Sequence, residues 1–283
     1  MTQTNPRVWF ITGASTGFGR LLAEEVLKSG GKVVATARKL DKVADLEKQY
    51  PGAAMALTLD VSDQGQVDSA VTQAFAKFGH IDVLVNNAGY GIAGAIEEVS
   101  DAEFMPMFET NVFGLLRVTR AFLPYLRKQR SGHILNLSSI AGLLASPGLG
   151  YYSSTKFAVE SISESLAAEL APLGIKITII EPGPFRTDFL GRSSVLAEKR
   201  IADYDNTAGN MRKYFVDSDG KQPGDPLRAV HAMMQVVDSP EPPLRLLLGQ
   251  SALQRLRAKL EKWQQEIAAW ESVTVGADFP EGK

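Results

Sequence analysis

The sequence predicts an α/β fold: a doubly wound parallel sheet of about seven strands, with helices on both faces, in a single domain. Three observations carry this. Short β-rich runs alternate with longer segments of helical period through the first two thirds of the chain. The runs are apolar at successive positions rather than at every second one, as strands buried on both faces must be. Glycines fall just past the helical segments, at Gly30-Gly31, Gly79 and Gly174, where a left-handed cap ends a helix.

The predicted strands, in order, are 7–11 (RVWFI), 32–37 (KVVATA), 53–59 (AAMALTL), 81–86 (IDVLVN), 133–138 (HILNLS), 175–181 (IKITIIE) and a short closing one at 244–248 (LRLLL). Between them, RLLAEEVLKSG, VDSAVTQAFAKFG and FAVESISESLAAELAPLG repeat apolar residues at helical spacing. Ser100-Asp101-Ala102-Glu103 reads as a capping box that opens a further helix. Pro106 then falls inside that helix and is expected to kink or break it, because it removes a backbone donor. Residues 188–226 are polar and too long for a plain connection, which predicts a mobile lid with short helices. Residues 1–250, lid included, form the main domain; 251–283 form an amphipathic helix and a loose tail. That helix carries Leu253, Leu256, Leu260, Trp263, Ile267 and Trp270 on one stripe, expected to dock on the body or a partner subunit.

Bulk properties exclude several classes. The 283 residues are 45% hydrophobic and 22% charged, with a net charge of −2, so no global field favours nucleic acid or an anionic membrane. The absence of cysteine removes disulfides and thiol chemistry and suits a reducing, cytoplasmic setting. The N-terminus, MTQTNPRVWFITG, reads as a short tail before a strand and not as a signal peptide. His80, His133 and His231 stand singly, with no metal-ligand spacing, so no metal site is expected; His80 and His133 read as turn or strand-edge residues.

Directly after the first strand comes Thr12-Gly13-Ala14-Ser15-Thr16-Gly17-Phe18-Gly19, followed by a helix. A strand, a Gly-rich turn and a helix N-terminus together make an anion site from free backbone N–H groups, and glycines let the backbone approach a pyrophosphate. The end of the second strand selects the cofactor. An acid there would hold a ribose 2′-hydroxyl; instead Ala37 is followed by Arg38 and Lys39. A guanidinium forms paired hydrogen bonds to a 2′-phosphate, so NADP is expected over NAD. The alternative has Arg38 and Lys39 solvated and Asp41 on the ribose.

Taken together, these residues resemble the short-chain dehydrogenase/reductase family in its single-domain, Rossmann-type form, closely over 7–187 and loosely over 223–250. The motifs are TGASTGFG, Asp60-Val61, NNAG at 86–89, Asn111, Ser139, YSSTK at 152–156 and PGPFRT at 182–187. The resemblance implies that Asp60 and Val61 contact the adenine, and that Asn86, Asn87, Ala88 and Gly89 lie near the adenosine ribose. It also implies that Pro182, Gly183, Phe185 and Thr187 form the nicotinamide-side loop. Gly89 is expected to adopt an unusual backbone angle. Asn111 is implied to hold a water that relays protons to Lys156, against a reading as a helix-kink or packing residue.

Tyr151 and Tyr152 stand side by side, and helical geometry separates them. Tyr152 and Lys156 are one turn apart and share a face, whereas Tyr151 points elsewhere and reads as a pocket or packing residue. A nearby ammonium is expected to lower the phenol pKa from its usual value near 10, with Tyr152 as general acid/base. Lys156 is implied to bind the nicotinamide ribose as well. Ser139 lies at the end of the fifth strand, where the ligand crevice of such sheets opens, and Ser138 should face away.

Pocket residues are expected from 91–95, LLASPGLGY and the lid, including Leu143, Leu144, Leu149, Tyr151, Phe185, Phe189 and Leu190. Arg186 and Arg192 are the only cations there, which favours an uncharged, fairly apolar ketone, aldehyde or secondary alcohol. The pattern looks like the ketoreductase and hydroxysteroid-dehydrogenase branch. Competing readings are a sugar-nucleotide epimerase or dehydratase and an NADP-sensing regulator without turnover; an enoyl reductase would want a wider Tyr–Lys gap. The resemblance further implies a homodimer or homotetramer built on the long helices at 109–129 and 152–172.

Overall fold

In the computed structural model, which describes residues 6–191 and 193–279, seven parallel strands form the centre of the molecule. The N-terminal stretch read above as a tail lies partly, and Arg192 wholly, outside the described residues. The elements run β1 (Val8–Ile11), α1 (Gly17–Lys28), β2 (Lys32–Ala37), α2 (Ala44–Gln49), β3 (Ala54–Thr58), α3 (Gln64–Phe78), β4 (Val83–Asn86), β5 (Gly91–Ala93), α4 (Asp101–Phe108), α5 (Leu115–Gln129), β6 (Gly132–Leu137), α6 (Gly150–Leu170), β7 (Ile175–Pro182), β8 (Ser194–Leu196), α7 (Ala208–Asp217), α8 (Pro226–Asp238), β9 (Arg245–Leu248) and α9 (Gln250–Val275). The main sheet has the order β3-β2-β1-β4-β6-β7-β9. The chain therefore reverses its direction of travel between β1 and β4, which opens a crevice at the strand C-termini.

Each strand feeds both faces, because successive side chains alternate. Ile11, Val33, Val85 and Leu135 pack with Leu22 and Val26 of α1 and Val230 and Met233 of α8. Phe10, Val34, Leu84 and Ile134 pack on the opposite face with Val67 and Val71 of α3 and Val118, Phe122 and Leu126 of α5. Phe10 and Phe122 meet edge to face with ring centroids 4.8 Å apart. Gly30, Gly79 and Gly174 have φ of 88°, 78° and 74°, the left-handed caps expected of them. His133 is not at a strand edge: it is buried inside β6, its Nε2 lies 2.9 Å from Thr178 Oγ1, and burial pushes its pKa down to about 4.

Pro106 does not end its helix. α4 runs through it to Phe108 and passes into a π-helical turn, Glu109–Gly114, before α5. The lid is tied to the body. β8 pairs in parallel with β5, and Arg212 of α7 donates to Glu98 Oε2 at 3.1 Å and to the carbonyl of Ala197 at 2.8 Å. The stripe of α9 is largely undocked: Ala252 is buried, but every residue from Glu261 to Phe279 is exposed.

One buried ionic cluster joins α6, β7 and β9. Arg245 Nε lies 3.2 Å from Glu160 Oε2 and 3.1 Å from Glu181 Oε1, and its guanidinium also reaches Glu164. Both inner carboxyls are buried, and two carboxylates against one guanidinium leave an uncompensated charge. Burial first and the neighbouring Glu160 second push Glu181 up to about 8, so the pair retains a proton. The folded state holds that proton where an unfolded carboxyl has lost it. Its contribution to stability is therefore complete below pH 4.5 and is lost as pH rises through about 8. Glu181→Gln, which keeps a neutral hydrogen-bonding group, is expected to flatten the fall in unfolding midpoint between about pH 5 and about pH 9. Thermal denaturation across that range checks it, and a slope equal to that of the parent chain counts against a shared proton.

Candidate active site

The crevice is one cavity of about 1070 Å³, lined from Gly13 through Lys156 and Phe185 to Arg255. At one end the backbone turns after β1 with Gly13 at φ 66° and Gly17 at φ 56°. Thr16 caps α1 without a side-chain bond, and the first turn of the helix has no acidic residue. The first backbone bond of that helix comes only at Arg20 N, so the preceding N–H groups remain available to an anion.

Asn87 holds this turn in place. Its Nδ2 donates to the carbonyls of Thr12 at 2.9 Å and Gly13 at 3.0 Å, while Thr12 Oγ1 accepts from the N–H groups of Asn87 and Ala88. A Cβ on Gly19 would lie 2.5 Å from Asn87 Nδ2 and 2.5 Å from the Gly13 carbonyl oxygen. Gly19 thus serves close packing and does not itself line the cavity. This bare cradle, closed to any larger residue, fits the diphosphate of a dinucleotide.

Ser15, Thr16, Phe18, Arg38, Asp60, Val61, Ala88, Gly89, Pro182, Gly183, Phe185 and Thr187 all line the same cavity. Lys39 is not on its wall. Asp41 lies in the short turn that follows, with Lys42 Nζ 3.5 Å from its carboxylate, and is not on the wall either. Asp60 folds an Asx turn by accepting from Ser62 N–H at 2.9 Å and Ser62 Oγ at 2.6 Å. Gly89 has no positive φ, contrary to expectation. Its need is space, since a Cβ there would sit 3.0 Å from Asn111 Oδ1 and 3.8 Å from Lys156 Nζ. Phe18 and Phe185 meet edge to face at 5.5 Å, joining the cradle to the loop after β7.

Tyr152, Lys156 and Ser139 converge on the cavity, all three largely buried. Lys156 Nζ donates to the Leu137 carbonyl at 2.7 Å and lies 5.8 Å from the Tyr152 ring centroid. Ser139 Oγ accepts from Ala141 N–H at 3.1 Å, which fixes it at the mouth of β6. A Cβ on Gly142 would lie 2.5 Å from Ser138 Oγ and 3.1 Å from Glu160, so Ser138 turns to the Glu160 side. Tyr151 stacks on Phe104 at 4.5 Å and is a packing residue.

The expected depression of the phenol is reversed. Burial pushes Tyr152 up to about 12 despite the opposing effect of the neighbouring Ser139 hydroxyl, and it pushes Lys156 down to about 8. Taking both groups out of water outweighs the attraction between phenolate and ammonium. At neutral pH the phenol therefore carries its proton, and Lys156 remains charged.

Asn111 is off the cavity wall, in the π-helical turn. Its Nδ2 donates to the Tyr90 carbonyl at 2.8 Å and to Thr155 Oγ1 at 3.1 Å, and its Oδ1 accepts from Tyr90 N–H at 3.0 Å. Both amide donors are thus committed, and the side chain clamps the backbone after NNAG to α6.

The far end of the cavity is apolar, formed by Leu149, Phe189, Leu190, Val195, Met211, Tyr214 and Phe215. Phe189 packs against Tyr152 with centroids 5.5 Å apart. Leu143, Leu144, Tyr151 and Arg186 are not on its wall. Met211, Tyr214 and Phe215 enter through α7, and Arg255 through α9; no local motif marks them. Gln222 was equally invisible: it is 2% exposed, lines the cavity, and neither its Nε2 nor its Oε1 has a hydrogen-bond partner among the described residues. Such an orphaned amide awaits a hydrogen-bonding ligand. Among the described residues no three His, Cys, Asp or Glu side chains gather as a metal site, and no helix is long and apolar enough to cross a membrane.

Residues 7–195 match the family model described as short chain dehydrogenase. Oxidoreductase BOA17 of Botryotinia fuckeliana is 40% identical over 267 residues, covering 92% of this chain and 97% of its own length. The 3-ketodihydrosphingosine reductase of Bacteroides thetaiotaomicron is 36% identical over 259 residues, covering 91% and 93%. The crystal structure of a short-chain dehydrogenase from Streptomyces avermitilis superposes with a TM-score of 0.91 at 42% identity, covering 97% of this chain and all of that one. Similar solved structures hold NADH in one case and NADP+ in another.

Gly19→Ala forces a methyl group into a gap of 2.5 Å and so displaces Asn87 or the Gly13 carbonyl. Overpacking of this kind costs about 1–3 kcal/mol. The variant is expected to unfold at a lower temperature and to bind dinucleotide about 5–140-fold more weakly, since 1.4 kcal/mol is a factor of ten. Thermal denaturation and a fluorescence titration with NADPH check both; binding equal to that of the parent chain overturns the close-packing role.

Proposed function

The chain belongs to the short-chain dehydrogenase family, and on that premise we propose that it is an NADP(H)-dependent oxidoreductase interconverting an uncharged, fairly apolar ketone or aldehyde and the corresponding alcohol. The observation that carries the proposal is the convergence of Tyr152, Ser139 and Lys156 between the bare glycine cradle and an apolar end wall. The dinucleotide, when bound, supplies or accepts the hydride at the carbonyl carbon.

This chain's residues do the rest. Gly13, Ser15, Thr16, Gly17 and Phe18 receive the diphosphate at the N-terminus of α1. Asp60, Val61, Asn87, Ala88 and Gly89 frame the adenosine side. Pro182, Gly183, Phe185 and Thr187 frame the reacting side. Ser139 Oγ polarises the substrate oxygen and fixes its position. Tyr152 donates its phenolic proton to that oxygen as negative charge develops there, and takes it back in the oxidation direction. A phenol raised to about 12 is fully loaded at neutral pH, and an alkoxide is a stronger base than a phenolate, so the transfer runs downhill. Lys156 supplies positive charge beside the forming phenolate and a donor for a ribose hydroxyl. Asn111 holds the Tyr90 backbone and α6 in register through its amide, alongside the water relay to Lys156 that the resemblance implies.

Arg38 on the cavity wall, with no acid at the end of β2, favours the 2′-phosphate of NADP. The substrate class follows from Phe189, Leu190, Met211 and Phe215, with Arg255 the one cation on that wall among the described residues. Reduction of a ketone also fits the Bacteroides relative, a 3-ketodihydrosphingosine reductase. Gln222 is placed to satisfy a carboxamide or a substrate hydroxyl.

NADPH oxidation against a panel of apolar ketones and aldehydes tests the reading. Tyr152→Phe is expected to lower kcat by about 10²–10⁴ with NADPH binding retained. Full activity in that variant rules the phenol out as acid, and an absence of turnover with the whole panel favours a cofactor-sensing regulator. Loss of a charge-assisted hydrogen bond costs about 1.5–3 kcal/mol, so Arg38→Ala should raise KM for NADPH about 10–100-fold and leave that for NADH unchanged. A parent enzyme that turns over faster with NADH, indifferent to Arg38→Ala, overturns the cofactor assignment.

A further inference from the structure

Helix α9 spans 26 residues, Gln250–Val275, and its apolar positions repeat with unusual regularity. Leu253, Leu256, Leu260, Trp263, Ile267 and Trp270 alternate by steps of three and four residues. That is the 3.5-residue seam of a coiled coil, narrower than the face of a helix docked on a globular body. Among the described residues the seam from Leu260 onward has no partner in the fold. Leu260 is 45% exposed, Trp263 55%, Ile267 57% and Trp270 64%. Apolar patches of this size on a folded chain mark a contact surface.

The flanking charges select the partner and its direction. With Leu253 and Leu260 at the a position and Leu256 and Trp263 at d, Arg257, Gln264 and Glu271 occupy e, and Lys259, Glu266 and Val273 occupy g. In a parallel pair of these helices, g meets e of the partner, and Glu266 would face a second Glu271. In an antiparallel pair, g meets g and e meets e, so Lys259 faces Glu266, twice by symmetry, and Arg257 faces the neutral Gln264. The same register stacks Leu253 on Trp270, Leu256 on Ile267 and Leu260 on Trp263, with every seam position filled. Antiparallel helix dipoles add to the preference. Lys259 already lies along this edge, donating to the Leu143 carbonyl at 2.5 Å, and its ammonium retains further donors.

We propose that α9 is a self-association element: it pairs antiparallel with α9 of a second copy of this chain, in the register that sets Lys259 against Glu266 and Leu260 against Trp263. Such pairing is isologous, as a two-fold contact requires, and is separate from any contact made through the helices at 109–129 and 152–172. It would also bring the second copy near Arg255, the α9 residue on the cavity wall.

Sedimentation velocity on the full-length chain tests this. Trp263→Ala/Ile267→Ala, which keeps a good helix former at both positions, is expected to halve the mass of the main species with the far-ultraviolet circular dichroism unchanged. Glu266→Lys should do the same, because only the antiparallel register then sets lysine against lysine, and Glu266→Lys/Lys259→Glu should restore the parent mass. The chain has no cysteine, so Ser272→Cys accepts a single spin label on the outer face of α9. The label-to-label distance should exceed about 30 Å, the axial offset set by a rise of 1.5 Å per residue, against about 20 Å for a parallel pair two helix diameters across. A monomeric parent chain, a mass indifferent to the alanine pair, or the short distance overturns the proposal. So does sedimentation of the parent chain with phosphatidylglycerol vesicles, lost in the alanine pair, in place of self-association.

Discussion

Everything at the catalytic end of this molecule depends on how closely the N-terminus of α1 approaches the mouths of β1 and β4. The approach leaves no room for a Cβ at Gly19 and very little at Gly13. Asn87 fixes it by donating to two carbonyls of the turn, and the Thr12 hydroxyl accepts two N–H groups in return. The clamp spans the point where strand order reverses, so one set of hydrogen bonds both opens the crevice and shapes its anion-binding end. Phe18 follows directly from that turn and contacts Phe185, so the geometry of the cradle carries over to the loop after β7.

The reacting groups illustrate a competition between two terms. A lysine one turn from a tyrosine suggests a phenol made more acidic by charge. Both groups are buried, however, and desolvation moves each toward its neutral form, the phenol up and the ammonium down. The result is a phenol that keeps its proton at neutral pH beside a cation close to its titration point, as the proposed proton transfer needs. The Glu160–Glu181–Arg245 cluster lies one turn further along α6 and obeys the same rule, keeping a proton that an exposed carboxylate would lose.

The lid and the C-terminal helix both complete the cavity from outside the sheet. Glu98, almost fully buried, accepts from Arg212, Ile201 N–H and Ala95 N–H, so a buried charge helps to anchor the lid. From that anchor α7 sends Met211, Tyr214 and Phe215 to the wall. Helix α9 contributes Arg255 near its start and then leaves the body, which separates its local role at the cavity from the free seam beyond.

Much of this was legible in the sequence, because much of it is local. Apolar runs and helical periods give seven strands in the expected places, since strand burial and helix amphipathicity repeat at fixed intervals. The glycine turn, the bare end of β2, and the shared face of Tyr152 and Lys156 follow from backbone sterics and 3.6-residue geometry. What tertiary structure alone decided concerns distances between parts far apart in the chain. It decided that burial outweighs charge at Tyr152, that Asn111 spends its amide on Tyr90 and Thr155, that Gly89 needs space and not a special φ, and that Pro106 leads into a π-helical turn without breaking α4. It also brought Gln222, Met211 and Arg255 to the cavity and left Lys39 off it. Residue spacing specifies which side chains share a face; the solvent each face loses, and the partner it gains, are set only when the elements pack.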